Sequence, residues 1–243
     1  MGFSNWFKKM NSNTLYYPGC LTKFVGKDVL ENYKSILNKL KLDFIMLSDL
    51  EVCCASPIIN SGNKDEAKVL ALKNYEIFKE HSVGKIITNC PACYHTFSSI
   101  YPKILDKWDI EVEHITQTIA KAIKDKKIVL ENKDVDFTYH DPCHLGRYSN
   151  IYNEPREIIN SVGKLKEMKL CKNYSFCCGG GSGVKSNFPE LANSIARQRV
   201  DMAKETNASC LVTSCPMCYY NLKENSKGIK VKEISEIVIG DKK

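Results

Sequence analysis

Lys85-Ile86-Ile87-Thr88-Asn89-Cys90-Pro91-Ala92-Cys93 is matched, 125 residues later, by Cys210-Leu211-Val212-Thr213-Ser214-Cys215-Pro216-Met217-Cys218. In each copy a short apolar, β-prone run leads straight into Cys-Pro-x-Cys. Proline suits the first turn of a helix, where its missing N–H leaves no bond unmade. Each stretch therefore reads as a strand running into a helix, with one thiol just before the helix and one inside its first turn.

Working outward, each copy has the same cysteines upstream. Cys20 and then the pair Cys53-Cys54 precede the first; Cys143 and then Cys177-Cys178 precede the second. The single cysteine and the pair are separated by 32 residues in the first copy and 33 in the second, and the pair and Cys-Pro-x-Cys by 35 and 36. Ten of the twelve cysteines thus form one five-thiol pattern in two registers, a far more specific signal than a lone Cys-x-x-Cys.

The intervening sequence alternates between strand and helix periods. In the first copy, strands are expected at Leu15-Tyr16-Tyr17, Phe44-Ile45-Met46-Leu47, Lys85–Thr88 and Glu111–Ile115, with helices over 25–40 and 65–80. In the second, strands are expected at Asp136–Tyr139, Leu165–Leu170 and Cys210–Thr213, with helices over 155–162 and 189–205. On the last helix the apolar positions are read as Leu191, Ile195, Val200 and Met202. The charged run Lys121–Asp134 is read as a linker. The expected fold class is α/β, built from two pseudo-symmetric, Rossmann-like βαβ halves with parallel strands and right-handed crossovers. The expected division is an N-terminal extension (1–13), a first cysteine-rich domain (14–125) and a second (126–243). Ligands of parallel sheets sit outside the carboxyl ends of the strands. Every cysteine group follows an expected strand, so distant thiols converge at one sheet edge in each half.

Five thiols exceed what one tetrahedral zinc can use and suit an iron–sulfur cluster, in which several irons share the ligands. Adjacent cysteines diverge in an extended chain and reach two irons more readily than one. A cysteine at a helix start has its thiolate favoured by free N–H groups. Gly179-Gly180-Gly181 allows backbone N–H groups to approach sulfur closely. Zinc in one half, held by four of the five thiols, is the alternative that ligand count leaves open, as is a Cys90/Cys93 redox dithiol. Cys171 and Cys210 fall outside the pattern; Cys210 reads as a small core residue, and Cys171 as exposed near the second pair.

Tyr139-His140-Asp141-Pro142-Cys143-His144-Leu145-Gly146-Arg147 places two histidines and an arginine around one candidate ligand. A histidine there either donates a proton or tunes the site, or is simply a hydrogen-bonded structural residue. His140 is read as structural, and His144 stays open between the two roles, as does His95 after the first Cys-x-x-Cys. His81 and His114 read as surface or structural.

The chain of 243 residues, with 43% hydrophobic and 26% charged residues, has ordinary globular composition. Neither a secretory signal nor a run long enough to span a membrane is present, so a cytoplasmic location is expected, and with it reduced thiols. Phe3, Trp6 and Phe7 beside Lys8 and Lys9 read as a docking segment or a terminal turn. The net charge of +7 is spread along the chain without a dense block, which argues against nucleic acid. Ten thiolates around two cores of about +2 each would bring it to about +1. No Walker loop, dinucleotide fingerprint or nucleophile elbow occurs.

The repeated Cys…Cys-Cys…Cys-Pro-x-Cys, together with Tyr139–Arg147, resembles the cysteine-rich CCG domain family over about 15–234. That family includes the catalytic, B-type subunit of heterodisulfide reductase and the related domain of the D-type one. It also includes iron–sulfur subunits of lactate, glycolate and anaerobic glycerol-3-phosphate oxidation systems. Ala55 departs from a strict Cys-Cys-Gly, a small steric change. The resemblance implies two 4Fe-4S clusters of noncubane type facing each other across a pseudo-twofold interface. Cys20, Cys53, Cys54, Cys90 and Cys93 would hold one, and Cys143, Cys177, Cys178, Cys215 and Cys218 the other. It implies an oxidoreductase that splits a small disulfide between the clusters, with Cys54, Cys178 and His144 as candidate catalytic residues. The other expected role is a non-catalytic electron-transfer subunit of a flavin-dependent dehydrogenase of a small hydroxy acid. The chain has no Cys-x2-Cys-x2-Cys-x3-Cys-Pro run, so a ferredoxin-like iron–sulfur subunit, a flavoprotein, or both, are the expected partners.

Overall fold

The computed structural model describes residues 12–240; the aromatic–lysine segment around Trp6 lies outside them. The first half opens with β1 (Asn13–Tyr17), whose last three residues are buried. It continues into α1 (Cys20–Phe24) and α2 (Lys27–Lys39), the latter burying Val29, Tyr33, Ile36 and Leu37 along one stripe. After the cysteine pair come α3 (Ser56–Asn60) and α4 (Lys64–Glu80). β2 (Val83–Thr88) runs into α5 (Pro91–His95), which continues through a π-type turn (Thr96–Ile100) into α6 (Tyr101–Ile104). β3 (Glu111–His114) and α7 (Ile115–Lys124) complete the half.

The second half repeats this order with β4 (Asp136–His140), α8 (Asn153–Val162) and β5 (Lys164–Leu165). A 3-10 turn (Lys172–Tyr174), α9 (Val184–Asn187) and α10 (Pro189–Lys204) follow. β6 (Cys210–Thr213), α11 (Pro216–Glu224), β7 (Lys230–Glu233) and α12 (Ile234–Ile239) end it. All strand pairs are parallel, in the orders β1-β2-β3 and β5-β4-β6-β7. Ile45 bridges the free edge of β1, where β5 stands beside β4. The fold is the expected α/β pair of parallel-sheet halves.

Several element readings are corrected. Residues 44–47 form a single bridge rather than a strand: Ile45 exchanges both backbone bonds with Thr14 and Tyr16, and nothing propagates them. The strand expected over 165–170 covers only Lys164–Leu165, because Glu167 turns away to bond Arg156 and Met168 drops into the core. The linker expected over 121–134 begins as the last turn of α7, held by the buried Ile115, Ile119 and Ala122. Ile115 starts that helix and does not end β3. On α10 the buried stripe is Ala192, Ala196, Arg199, Val200 and Ala203, while Leu191 is exposed. β7 and α12 are elements that hydrophobic periodicity did not reveal.

The last helix of each half packs on the other half. α7 lies against α8, and α12 lies against α2. One core therefore runs through both, with Tyr33, Ile36, Leu37 and Ile119 in the same cluster as Tyr139, Ile158, Ile159 and Ile237. Tyr33 Oη donates to the buried Glu233 Oε1 across the seam at 2.6 Å.

Candidate metal centres

Each five-thiol group converges as expected at the carboxyl ends of its strands. In the first half Cys20 opens α1, Cys53-Cys54 precede α3, and Cys90-Cys93 straddle the start of α5. Cys54 and Cys93 are buried, and Cys20 is exposed. Cys54 receives hydrogen bonds from Cys53, Cys93 and the Ser56 backbone N–H, which hold its pKa well below that of an ordinary thiol against the opposing effect of burial. Cys93, its thiol set between Cys54 and Cys90, is pushed well up, most of all by Cys54. A Cβ on Gly19 would stand 3.1 Å from Cys93 Sγ, so the turn before Cys20 favours glycine, as does its φ of +74°.

The second group repeats the pattern. Cys178 is hydrogen-bonded by Cys177 and Cys218, the nearby His140 ring adds a smaller effect, and its pKa is held well below the usual thiol range. Cys218, its thiol set between Cys178 and Cys215, goes up, most of all through Cys178. Gly179 N points at Cys177 Sγ at 3.3 Å and Gly180 N at Cys178 Sγ at 3.4 Å, the close approach expected of the glycine run. The residue after the pair is left-handed in both halves: Gly179 at φ +80° and Ala55 at φ +69°. Ala55 is thus a strained position, where a purely steric change had been expected.

These surroundings fit a sulfide-bearing group. Each site offers five thiols, small residues close to the sulfurs, and N–H donors aimed at the second pair. Cys171 stands apart, its strongest electrostatic neighbours being Glu167, Arg156 and Asp141. Cys210 is buried in β6, its thiol directed to Leu211 O.

His144 sits between the two sites. Its Nδ1 is 3.4 Å from Cys143 Sγ, and it feels the thiols of both Cys54 and Cys178. Burial, with help from His95, lowers its pKa. His95, His144 and Tyr148 form an aromatic trio, with ring centroids 5.0 to 6.2 Å apart. His95 Nδ1 is buried without a hydrogen-bond partner. His114 is the structural histidine expected: it caps α7 through Thr116, and burial drops its pKa to about 3. Arg147 donates to Ser175 O at 2.7 Å and lowers the Cys143 pKa against the dominant effect of burial.

His140 is buried and hydrogen-bonded, as a structural histidine is, and it also stands beside the sulfurs of the second set. One of its ring nitrogens and the sulfurs of Cys178 and Cys218 all lie within 4.8 Å of one another, and all three residues are buried. Arg199 Nε donates to His140 Nδ1 at 3.1 Å, which assigns the ring proton to Nε2. That nitrogen, buried without a full hydrogen bond, carries its proton on the side of the ring away from Arg199. Arg199 was not foreseen; the signal was a lone cation on the Ala192–Ala196–Ala203 stripe. A second ion pair was also missed: Arg156 grips Asp141 with two bonds, at 2.7 and 3.0 Å, and reaches Glu167. Asp141 in turn accepts from Lys172 N at 2.8 Å and from Ser175 Oγ through its carbonyl, pinning the loop ahead of Cys177.

Comparison with known proteins decides the lineage. A family model described as a cysteine-rich domain, CCG, matches residues 14–98 and again 137–223. The chain belongs to the CCG cysteine-rich domain family. It is 35% identical over 236 residues to the D-type subunit of dihydromethanophenazine:CoB–CoM heterodisulfide reductase from Methanosarcina acetivorans, covering 94% of this chain and 58% of that protein. It is 32% identical to the B-type subunit of fumarate reductase (CoM/CoB) from Methanothermobacter marburgensis, covering 92% and 45%. The EtfAB:quinone oxidoreductase of Syntrophomonas wolfei matches at 31%, covering 92% and 32%. The CCG chain thus spans little more than half the length of the first of these relatives, and less of the others. A glutamate racemase isoform from Bacillus anthracis superposes at a TM-score of 0.46 with 12% identity, covering 94% of this chain and 79% of its own; nothing rests on so distant a likeness. Among the described residues, no helix is long and apolar enough to cross a membrane.

Proposed function

We propose that the chain is an iron–sulfur oxidoreductase subunit of the heterodisulfide reductase kind, reducing a small disulfide between two four-iron clusters. The observation that carries this reading is His144, placed between two complete five-thiol sets and within electrostatic reach of both Cys54 and Cys178. Cys20, Cys53, Cys54, Cys90 and Cys93 would hold one cluster, and Cys143, Cys177, Cys178, Cys215 and Cys218 the other. Bound clusters would supply one-electron carriers and sulfur-binding iron on either side of a disulfide.

Reduction breaks one S–S bond, takes up two electrons and two protons, and releases two thiols. The electrons are assigned to a ferredoxin-like or flavoprotein partner, or to a further domain of the kind that makes the relatives longer. Gly179 and Gly180 N–H groups would draw charge from the Cys177 and Cys178 thiolates. His144 Nδ1 is turned to Cys143, which leaves Nε2 as the atom that would pass a proton to a departing thiolate.

The test is iron and acid-labile sulfide on anaerobic protein, followed by viologen-driven disulfide turnover. About eight irons with matching sulfide are expected. Cys54→Ser and Cys178→Ser should each abolish turnover, and His144→Gln should lower it by about 100-fold. Full turnover in both cysteine variants would sink the reading, and one or two zincs without sulfide would remove its redox chemistry. A second reading, a non-catalytic electron carrier in a flavin-dependent complex, draws on the fumarate reductase and EtfAB-linked relatives. It is favoured if the loaded chain turns over no disulfide but passes electrons to a co-purifying flavoprotein.

A further inference from the structure

The two sites share their thiols but not the residues behind them. Three positions before the first cysteine of each set, Tyr17 on β1 takes the place of His140 on β4. Sixteen positions before each Cys-Pro-x-Cys, Asn74 on α4 takes the place of Arg199 on α10. Tyr17 Oη donates to Val52 O at 2.7 Å and has no proton left for sulfur. Asn74 Nδ2 donates to Cys53 O and Tyr101 Oη, both at 3.0 Å, and brings no charge. The hydrogen bonds on Cys54 come from neutral thiol and backbone groups.

Behind the second site stands a fully buried guanidinium. Arg199 is 0% exposed and donates to His140 Nδ1, Leu170 O and Ser175 Oγ. Among the described residues no carboxylate lies within ion-pair distance of it; the acid it feels most, Asp141, is gripped by Arg156. A buried cation without a counter-charge is costly, and negative charge placed near it offsets that cost. His140 sits between Arg199 and Cys178. It is polarised by Arg199 through Nδ1, and its buried Nε2, with no full hydrogen bond of its own, turns to the sulfurs.

We propose that Arg199 and His140 act as positioning residues that hold the second site at a higher reduction potential than the first, so that the first electron to enter settles in the second half. The inference rests on the cluster-binding reading above. The step is a single electron transfer: one electron leaves a low-potential donor such as reduced viologen, one cluster gains it, and no bond breaks. Added negative charge is stabilised where an N–H group stands beside the sulfurs and a buried cation stands behind it in a low dielectric.

The test is an anaerobic redox titration of the full chain followed by electron paramagnetic resonance, with iron and sulfide measured on every sample. Two reduction steps are expected, and Cys20→Ser/Cys53→Ser should remove the lower one. Arg199→Gln should weaken electron uptake at the higher step at least tenfold, about 59 mV for one electron, and leave the lower step in place. Arg199→Lys keeps the charge and should shift it by less. His140→Tyr, which copies the first half and leaves Arg199 to hold Leu170 and Ser175, covers the case in which Arg199→Gln does not fold; it should lower the same step. Two steps that coincide, or an upper step unmoved in His140→Tyr and Arg199→Gln alike, would overturn the proposal while leaving the cluster reading intact. Protein that takes up no iron and sulfide would overturn both.

Discussion

The first site is backed by rings and the second by charges. Phe97 sits at the centre of Tyr17, Phe78, Tyr101 and Trp108, with edge contacts at 4.9 Å to Tyr17 and 5.0 Å to Tyr101. The matching position on α11 is Leu222, and no comparable ring cluster surrounds it among the described residues. There the packing is done by Arg156 with Asp141 and Glu167, and by Arg199 with His140. The difference shows that five-thiol geometry can be held by either means. What changes is the electrostatic environment, and with it the response of each half to substitution and to pH.

The largest effects should come from removing either backing. Phe97→Ala leaves a cavity among four aromatic neighbours and should cost about 3–5 kcal/mol in denaturant unfolding, with cluster loss confined to the first half. Arg156→Met strands Asp141, which is 3% exposed, and should also cost about 3–5 kcal/mol. Its damage should appear in the second half, through the Lys172–Ser175 loop that Asp141 holds. If either substitution empties both sites equally, the comparison fails.

A smaller effect sharpens it at the two matching helix caps, His114 and Glu233. Burial pushes the Glu233 pKa to about 7, against the hydrogen bonds it accepts from Ser235 and Tyr33, with Glu236 adding repulsion. A carboxyl whose folded pKa lies above its unfolded value holds more protons when folded, so stability should fall as pH rises from about 4.5 to about 7. Glu233→Gln removes that slope. Relative to the parent it should gain up to about 3 kcal/mol between pH 5 and pH 8 in unfolding measured across that range. His114 has the opposite sign, because its pKa is depressed to about 3 and its contribution is lost as pH falls below about 6.5. A flat difference between Glu233→Gln and the parent would show that the seam does not titrate.

The smallest effects lie at the left-handed positions after the pairs. Gly179→Ala should cost about 1–3 kcal/mol, since a Cβ there would come 2.6 Å from Ala192 O. Ala55→Gly should gain about 1 kcal/mol by relieving φ +69°. Thermal unfolding of the two variants side by side reads both signs; a loss in Ala55→Gly would mean that its methyl packing outweighs the strain.

Much of this was legible in the chain. The ten cysteines, the strands at Lys85–Thr88 and Cys210–Thr213 and the helix starts after them follow from spacing and from proline at the first turn. Edges were less legible. Residues 44–47 and 165–170 have strand composition, but each has a partner on one side only, and pairing stops where Glu167 finds Arg156. Arg199 was hidden because a periodic reading of α10 looks for large apolar residues, whereas its buried stripe is alanine with one cation. His140 needed Arg199 to be seen at all, since a tautomer is fixed by a neighbour 59 positions away.

The crossing of α7 onto α8 and of α12 onto α2 gives each half a helix packed on the other. Two separate copies of one half, joined by the same exchange, would form a symmetric dimer, and symmetry would force every substitution near one site to appear at the other. Writing both copies into a single polypeptide lifts that constraint. Tyrosine and asparagine can then stand on one side of the seam where histidine and arginine stand on the other, and two matched pockets become free to hold unequal charge.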